Sequence, residues 1–108
     1  MYSTASKARL LANLSNASRL ELLSIVSDNE MSVGELSSTL NMSQSAVSQH
    51  LAKLRVDGLV ETRRDAQTIY YSCANPGVQR VIMTLNEIFS KEFDAKNNYV
   101  FKNSKRKI

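Results

Sequence analysis

Several residue types are scarce in this chain of 108 residues: it holds one cysteine, one proline, three glycines, one histidine and no tryptophan. A single cysteine, Cys73, cannot close an internal disulfide, which fits a reducing cytoplasm. No apolar run approaches the roughly 20 residues that span a bilayer, so no membrane partner is expected. The opening Met1-Tyr2-Ser3-Thr4-Ala5-Ser6-Lys7 has no charged stretch leading into an apolar one, and no secretory signal is read there. There is no internal repeat and no low-complexity linker. No nucleophile–base pair, paired-carboxylate site or phosphate loop is visible, so an enzyme is not expected.

What is present is enough for one domain and too little for two. Hydrophobic residues make up 43% of the chain, ordinary for a folded protein. A domain this small buries only part of its unfolded surface, and a further interface would help it. The net charge of +4 invites a nucleic-acid reading, but the charge is unevenly spread. Residues 1–94 hold nine Lys/Arg against ten Asp/Glu, a net of −1, whereas residues 95–108 hold five Lys/Arg and no acid. The basicity therefore belongs to a tail, which is expected to fray, and a case for DNA must rest on local arrangement in residues 1–94.

The periodicity predicts a helix over 6–14, with Leu10, Leu11 and Leu14 at helical spacing. Ser15 and Asn16 can cap a second helix, which carries Leu20, Leu22, Leu23 and Val26 and ends at Asp28-Asn29. Ser32 with Glu35 three positions later forms a capping box for a third helix, which turns Leu36 and Leu40 inward and stops at Asn41. Ser43 caps a fourth helix, and Gly58 is its natural stop. The pattern then changes. Residues 59–63 and 68–73 read as two strands rich in β-branched and aromatic residues, joined by the polar Arg64-Asp65-Ala66-Gln67. Asn75-Pro76 starts a last helix, along which Val78, Val81, Ile82, Leu85, Ile88, Phe89 and Phe93 share a stripe. The expected fold is mainly α with a small β-hairpin, a winged helix-turn-helix of order α-α-α-α-β-β-α.

The third and fourth helices are joined by only Asn41-Met42 and the serine cap, the spacing of a helix-turn-helix. At 100° per residue, Val47, Leu51 and Leu54 fall on one face of the fourth helix and form its core side. Ser45, Gln49 and Ala52 lie opposite, flanked by Ser48 and Lys53, with Ser43 and Gln44 at the tip. That outward face is uncharged and hydrogen-bonding near its N-terminus and basic further on. Glutamine bonds adenine edges in pairs, serine donates to or accepts from several bases, and small Ala52 allows close approach. The bland alternative, a merely solvated surface, would win for an isolated helix. Here a capped helix-turn-helix precedes a basic hairpin, and the DNA reading is the stronger.

At the hairpin tip, Arg63 and Arg64 can reach phosphate or the minor groove, with Arg64 and Gln67 at the turn itself. One of the two arginines can instead pair with Glu61 or Asp65. His50, at the edge of the core face, is better read as a structural or phosphate hydrogen bond than as a metal ligand. Cys73 reads as a buried small hydrophobe rather than a reactive thiol. The stripe of the last helix is long for one small domain to cover. Leu10 and Leu14 of the first helix, with Val81, Leu85, Ile88 and Phe89 of the last, are therefore read as a dimer interface.

The stretches Ser32-Val33-Gly34-Glu35-Leu36, Leu40 through Arg55, Gly58-Leu59-Val60 and Arg63 through Tyr71 together resemble the ArsR family of bacterial repressors, in the branch typified by NolR and HlyU. The resemblance covers roughly residues 8–94 and implies a winged-helix dimer with first and last helices at the interface and the fourth reading DNA. Metal-sensing members carry Cys-x-Cys at the start of the third helix, where this chain has Ser32 and Gly34, or acid and histidine ligands on the last helix, which has no histidine here. The cysteine positions of a thiol-switch branch match Ser24 and Ser90. No cofactor and no metal are therefore expected. The expected function is a cytoplasmic, sequence-specific DNA-binding repressor acting as a homodimer on a double-stranded operator. Residues 1–94 would form the DNA-binding and dimerisation domain and 95–108 a flexible basic tail. A sensor with an unrecognised inducer site, or a winged-helix module that binds protein, are the alternatives.

Overall fold

The computed structural model describes residues 3–90. The tail at 95–108, and Phe93 of the apolar stripe, lie outside the described residues. Five helices and three strands follow in the order α1 (Thr4–Leu14), α2 (Ala17–Asp28), β1 (Met31–Ser32), α3 (Val33–Leu40), α4 (Gln44–Val56), β2 (Glu61–Asp65), β3 (Thr68–Ser72) and α5 (Pro76–Ile88), counted among the described residues.

Side-chain caps start every helix, as residues that satisfy free first-turn N–H groups should. Ser3 accepts from the Ser6 N–H at 3.1 Å, which starts α1 two residues earlier than its leucines predict. Asn16 caps α2, and Ser32 and Glu35 complete the capping box of α3 in both directions. Ser43 caps α4 by accepting from the Ala46 N–H at 3.1 Å, and Asn75 caps α5 ahead of Pro76. Two helix ends share one device. Asn41 (φ 54°) and Gly58 (φ 73°) enter the left-handed region. The next N–H then reaches back over the last turn, Met42 to the Ser37 carbonyl at 3.0 Å and Leu59 to the Leu54 carbonyl at 2.9 Å.

The hairpin strands differ from the sequence reading. The first begins at Glu61, not Leu59, because Leu59 and Val60 are buried in the core between α4 and the sheet. Their apolar character reflects that burial rather than strand pairing. Pairing runs from Glu61–Ser72 to Asp65–Thr68, leaving a two-residue turn, Ala66-Gln67, in place of the four-residue connection. A third strand was not legible. Met31 and Ser32 pair with Tyr71 and Tyr70, giving an antiparallel sheet of order β1-β3-β2.

The core gathers Leu22, Leu23 and Val26 of α2, Leu36 of α3, Val47, Leu51 and Leu54 of α4, and Val78 and Ile82 of α5. Cys73 is buried among them, and its N–H donates to the Val26 carbonyl at 2.9 Å, tying the end of β3 to α2. Among the described residues no helix is long and apolar enough to cross a membrane.

Candidate nucleic-acid interface

The periodicity of α4 sets what it offers to a partner. Val47, Leu51 and Leu54 are fully buried, so the opposite face must point outward. Ser43, Gln44, Ser45, Ser48, Gln49, Ala52 and Lys53 are all exposed. No hydrogen bond or ion pair within the described residues engages the side chains of Gln44, Ser45, Ser48 or Gln49. These groups can therefore donate and accept outward without breaking an internal contact. The first turn of α4 holds no acid, and Lys53 and Arg55 lie in its last turn. A duplex meeting this helix N-terminus first would encounter neutral hydrogen-bonding groups and then positive charge.

The two wing arginines have different surroundings. Adjacent strand residues point to opposite faces. Arg64 pairs across the hairpin with Ile69 and is exposed, and Gln67 is exposed in the turn. Arg63 pairs with Tyr70 and shares its face, with the guanidinium 4.9 Å from the Tyr70 ring centroid. Neither Glu61 nor Asp65 is its hydrogen-bonding partner. The Arg63 Nε donates to both carboxylate oxygens of Glu30, at 3.1 and 3.2 Å, and its terminal nitrogen donates to Oε1. The cause is β1: its pairing with β3 carries the residue just before Met31 alongside the Arg63–Tyr70 face. The Arg63 guanidinium holds the Glu30 carboxyl below its usual range, and Glu30 in turn raises Arg63.

A second polar cluster, which the sequence reading missed, fixes the other end of α4. Asp57, at its C-cap, forms an ion pair with Arg9 of α1. Asn13, only 2% exposed, donates to Asp57 Oδ2 at 2.7 Å and to the Arg9 carbonyl at 3.1 Å. Arg19 closes the cluster from α2, donating to the Asn13 carbonyl at 2.9 Å. Hydrogen bonds from Arg9 and then Asn13 hold the Asp57 carboxyl below its ordinary value. The available signal was Asn13 itself, a poor helix former set between Leu10, Leu11 and Leu14.

His50 is half-buried on α4, and burial, reinforced by Arg19, pushes its imidazole below the ordinary value. Among the described residues no group of three or more His, Cys, Asp or Glu stands close enough together to hold a metal ion. The residues read as a dimer interface divide. Leu14 is buried inside the protomer, and Leu10 and Val81 pack partly against its core. Leu85 and Ile88 are half-buried, and Phe89 is 53% exposed. Leu11 and Met83 add further exposed apolar surface on α1 and α5.

Known proteins resemble this chain in sequence and fold. The family of bacterial regulatory proteins described as arsR matches residues 16–62. The chain is 51% identical over 80 residues to the transcriptional activator HlyU of Vibrio cholerae, an alignment covering 74% of each chain. It superposes on the crystal structure of NolR from Sinorhizobium fredii with a TM-score of 0.76 at 46% identity, covering 79% of this chain and 85% of that one. It also superposes on the solution structure of the homodimeric winged helix-turn-helix DNA-binding domain of Mb0332 from Mycobacterium bovis. There the TM-score is 0.74 at 26% identity, covering 84% of each chain.

Proposed function

The chain belongs to the arsR family of bacterial regulatory proteins, and we propose that it acts as a homodimeric transcriptional repressor reading a double-stranded operator with α4. One observation carries this reading: the outward face of α4 presents Gln44, Ser45, Ser48 and Gln49 without internal partners, beside a wing whose Arg64 is exposed. Glutamine and serine there would read base edges, while Lys53 and Arg64 would hold phosphate. The half-exposed Phe89 with Leu85 and Ile88 would meet a second copy, as the homodimeric state of Mb0332 supports. Two copies would then place two reading helices on half-sites one helical turn, or a multiple of it, apart. Repression needs only occupancy of the operator, so the protein works by binding and not as an enzyme. Its place is the cytoplasm, where the DNA is. The basic residues Lys102, Lys105, Arg106 and Lys107 would add sequence-independent attraction to phosphate.

The test begins by selecting bound sequences from a random duplex pool. Affinity for the selected operator and for a scrambled duplex is then measured across a salt series. Gln49→Ala and Gln44→Ala should each cost about 1–3 kcal/mol on the operator and relax preference at one position. Arg64→Ala should weaken both duplexes alike and flatten the salt slope by about one unit. Glutamine variants that keep the parental operator-to-scrambled ratio would remove α4 as the reading element.

A further inference from the structure

Arg63 is a wing cation committed elsewhere. It stacks on Tyr70 and gives hydrogen bonds to both oxygens of Glu30. A carboxylate gripped through two oxygens by a guanidinium has the geometry of a phosphate gripped the same way. A phosphate gripped by Arg63 in this way would have to take the place of Glu30. The contact is open to exchange, since the Arg63 side chain is 54% exposed and that of Glu30 is 40% exposed. Arg64, one residue along on the opposite face, has no such anion among the described residues.

We propose that Glu30 limits the affinity of this protein for DNA by competing with backbone phosphate for Arg63. This rests on the reading of the chain as a DNA-binding regulator. A phosphate contact made by Arg63 would carry no sequence information, so it would tighten operator and random DNA together. The excess of random sites in a genome makes such binding a drain on the free protein. Glu30 withholds that contact in two ways: it engages the cation, and it leaves a negative charge beside the duplex if the cation departs. Glu30 acts through Arg63 and is therefore a positioning residue.

The test is a cycle of the parent, E30Q, R63Q and the double variant. Each is measured on the selected operator and on a scrambled duplex from about 50 to about 300 mM salt, where counterion release is resolved, with melting curves alongside. With Arg63 present, E30Q should tighten both duplexes roughly fivefold to tenfold near 0.1 M salt and steepen the salt slope by about one unit. In the R63Q background the same change should leave the slope unaltered. Melting temperatures of parent and E30Q should agree, which a purely structural role for Glu30 would not allow. A parental slope in E30Q overturns the proposal. So does an equal gain in both backgrounds, which would make Glu30 a general negative charge rather than a competitor for Arg63. Failure of the DNA reading is a different result: the parent itself would bind neither duplex in a salt-dependent way.

Discussion

Two arginine–carboxylate pairs among the described residues link separate elements of the domain; both arginines are exposed, Arg9 at 69% and Arg63 at 54%, and the pairs differ in how far the carboxylate is enclosed. Arg9–Asp57 joins α1 to the C-terminal end of α4, and the Asp57 side chain is only 10% exposed with Asn13 as a second donor. Arg63–Glu30 joins the wing to the segment before β1, and both partners face water. Removing a donor from an enclosed carboxylate leaves charge without compensation, whereas an exposed pair exchanges its partners for water at little cost. The same chemistry therefore serves as an enclosed joint at one end of α4 and as an exchangeable contact at the wing.

The largest effect expected from breaking this contrast is on the enclosed joint. Asn13→Ala removes the donor to Asp57 from a buried position and should cost about 1–3 kcal/mol of stability. The loss is partly offset because the Asn13 Oδ1 has no partner of its own. For a domain of this size each kcal/mol lowers the melting temperature by roughly 4–8 °C, readily seen in a thermal melt followed by circular dichroism. A melt unchanged in Asn13→Ala would show that the joint holds nothing.

Next comes the turn that follows the joint. Gly58→Ala should destabilise by about 1–2 kcal/mol in chemical denaturation, because φ of 73° is costly for an L side chain. Open space around the added Cβ means the cost is conformational rather than steric crowding.

Acid should act on the same region. The folded Asp57 carboxyl lies below its ordinary value, so its stabilisation is complete above that ordinary value and is lost as pH falls through the folded one. His50 has the same sign at higher pH. Its neutral form is favoured by burial, so its contribution is complete above the ordinary histidine value and declines as pH drops through the lowered one. Melting temperature measured against pH should fall in both windows, with D57N flattening the acid limb and H50Q the upper one. Parental limbs in those variants would dissociate the two groups from stability.

The wing gives the smallest effects. Ala66 sits at φ 57° in the two-residue hairpin turn, a conformation glycine adopts more readily. Ala66→Gly should therefore raise stability by up to about 1 kcal/mol, the gain in conformation exceeding the added freedom of the unfolded chain. A loss in a urea titration would mean that the entropy of the unfolded glycine outweighs the relieved strain.

How much of this was legible follows the range of the interactions. The α4 face could be read because Val47, Leu51 and Leu54 repeat within one helix, and caps such as Ser32 and Ser43 act three residues away. The partner of Arg63 could not be read: Glu30 is 33 residues distant and is brought near by a strand of two residues, too short to leave a pattern. Asn13 and Asp57 are 44 apart and meet only when α1 crosses the end of α4. Leu59 and Val60 look like a strand because a buried loop and a buried strand select the same side chains.

Ser32 ends β1 opposite Tyr70, caps α3 with its hydroxyl, and gives its own N–H to Glu35 at 2.9 Å. No linker separates the wing's sheet from the helix-turn-helix, because one residue belongs to both. The span between the tip of the hairpin and the start of α4 would thus act as a gauge. A duplex whose grooves do not match it would have to bend or twist to fit, at a cost that depends on its base steps. Operator choice would then extend to base pairs that no side chain touches.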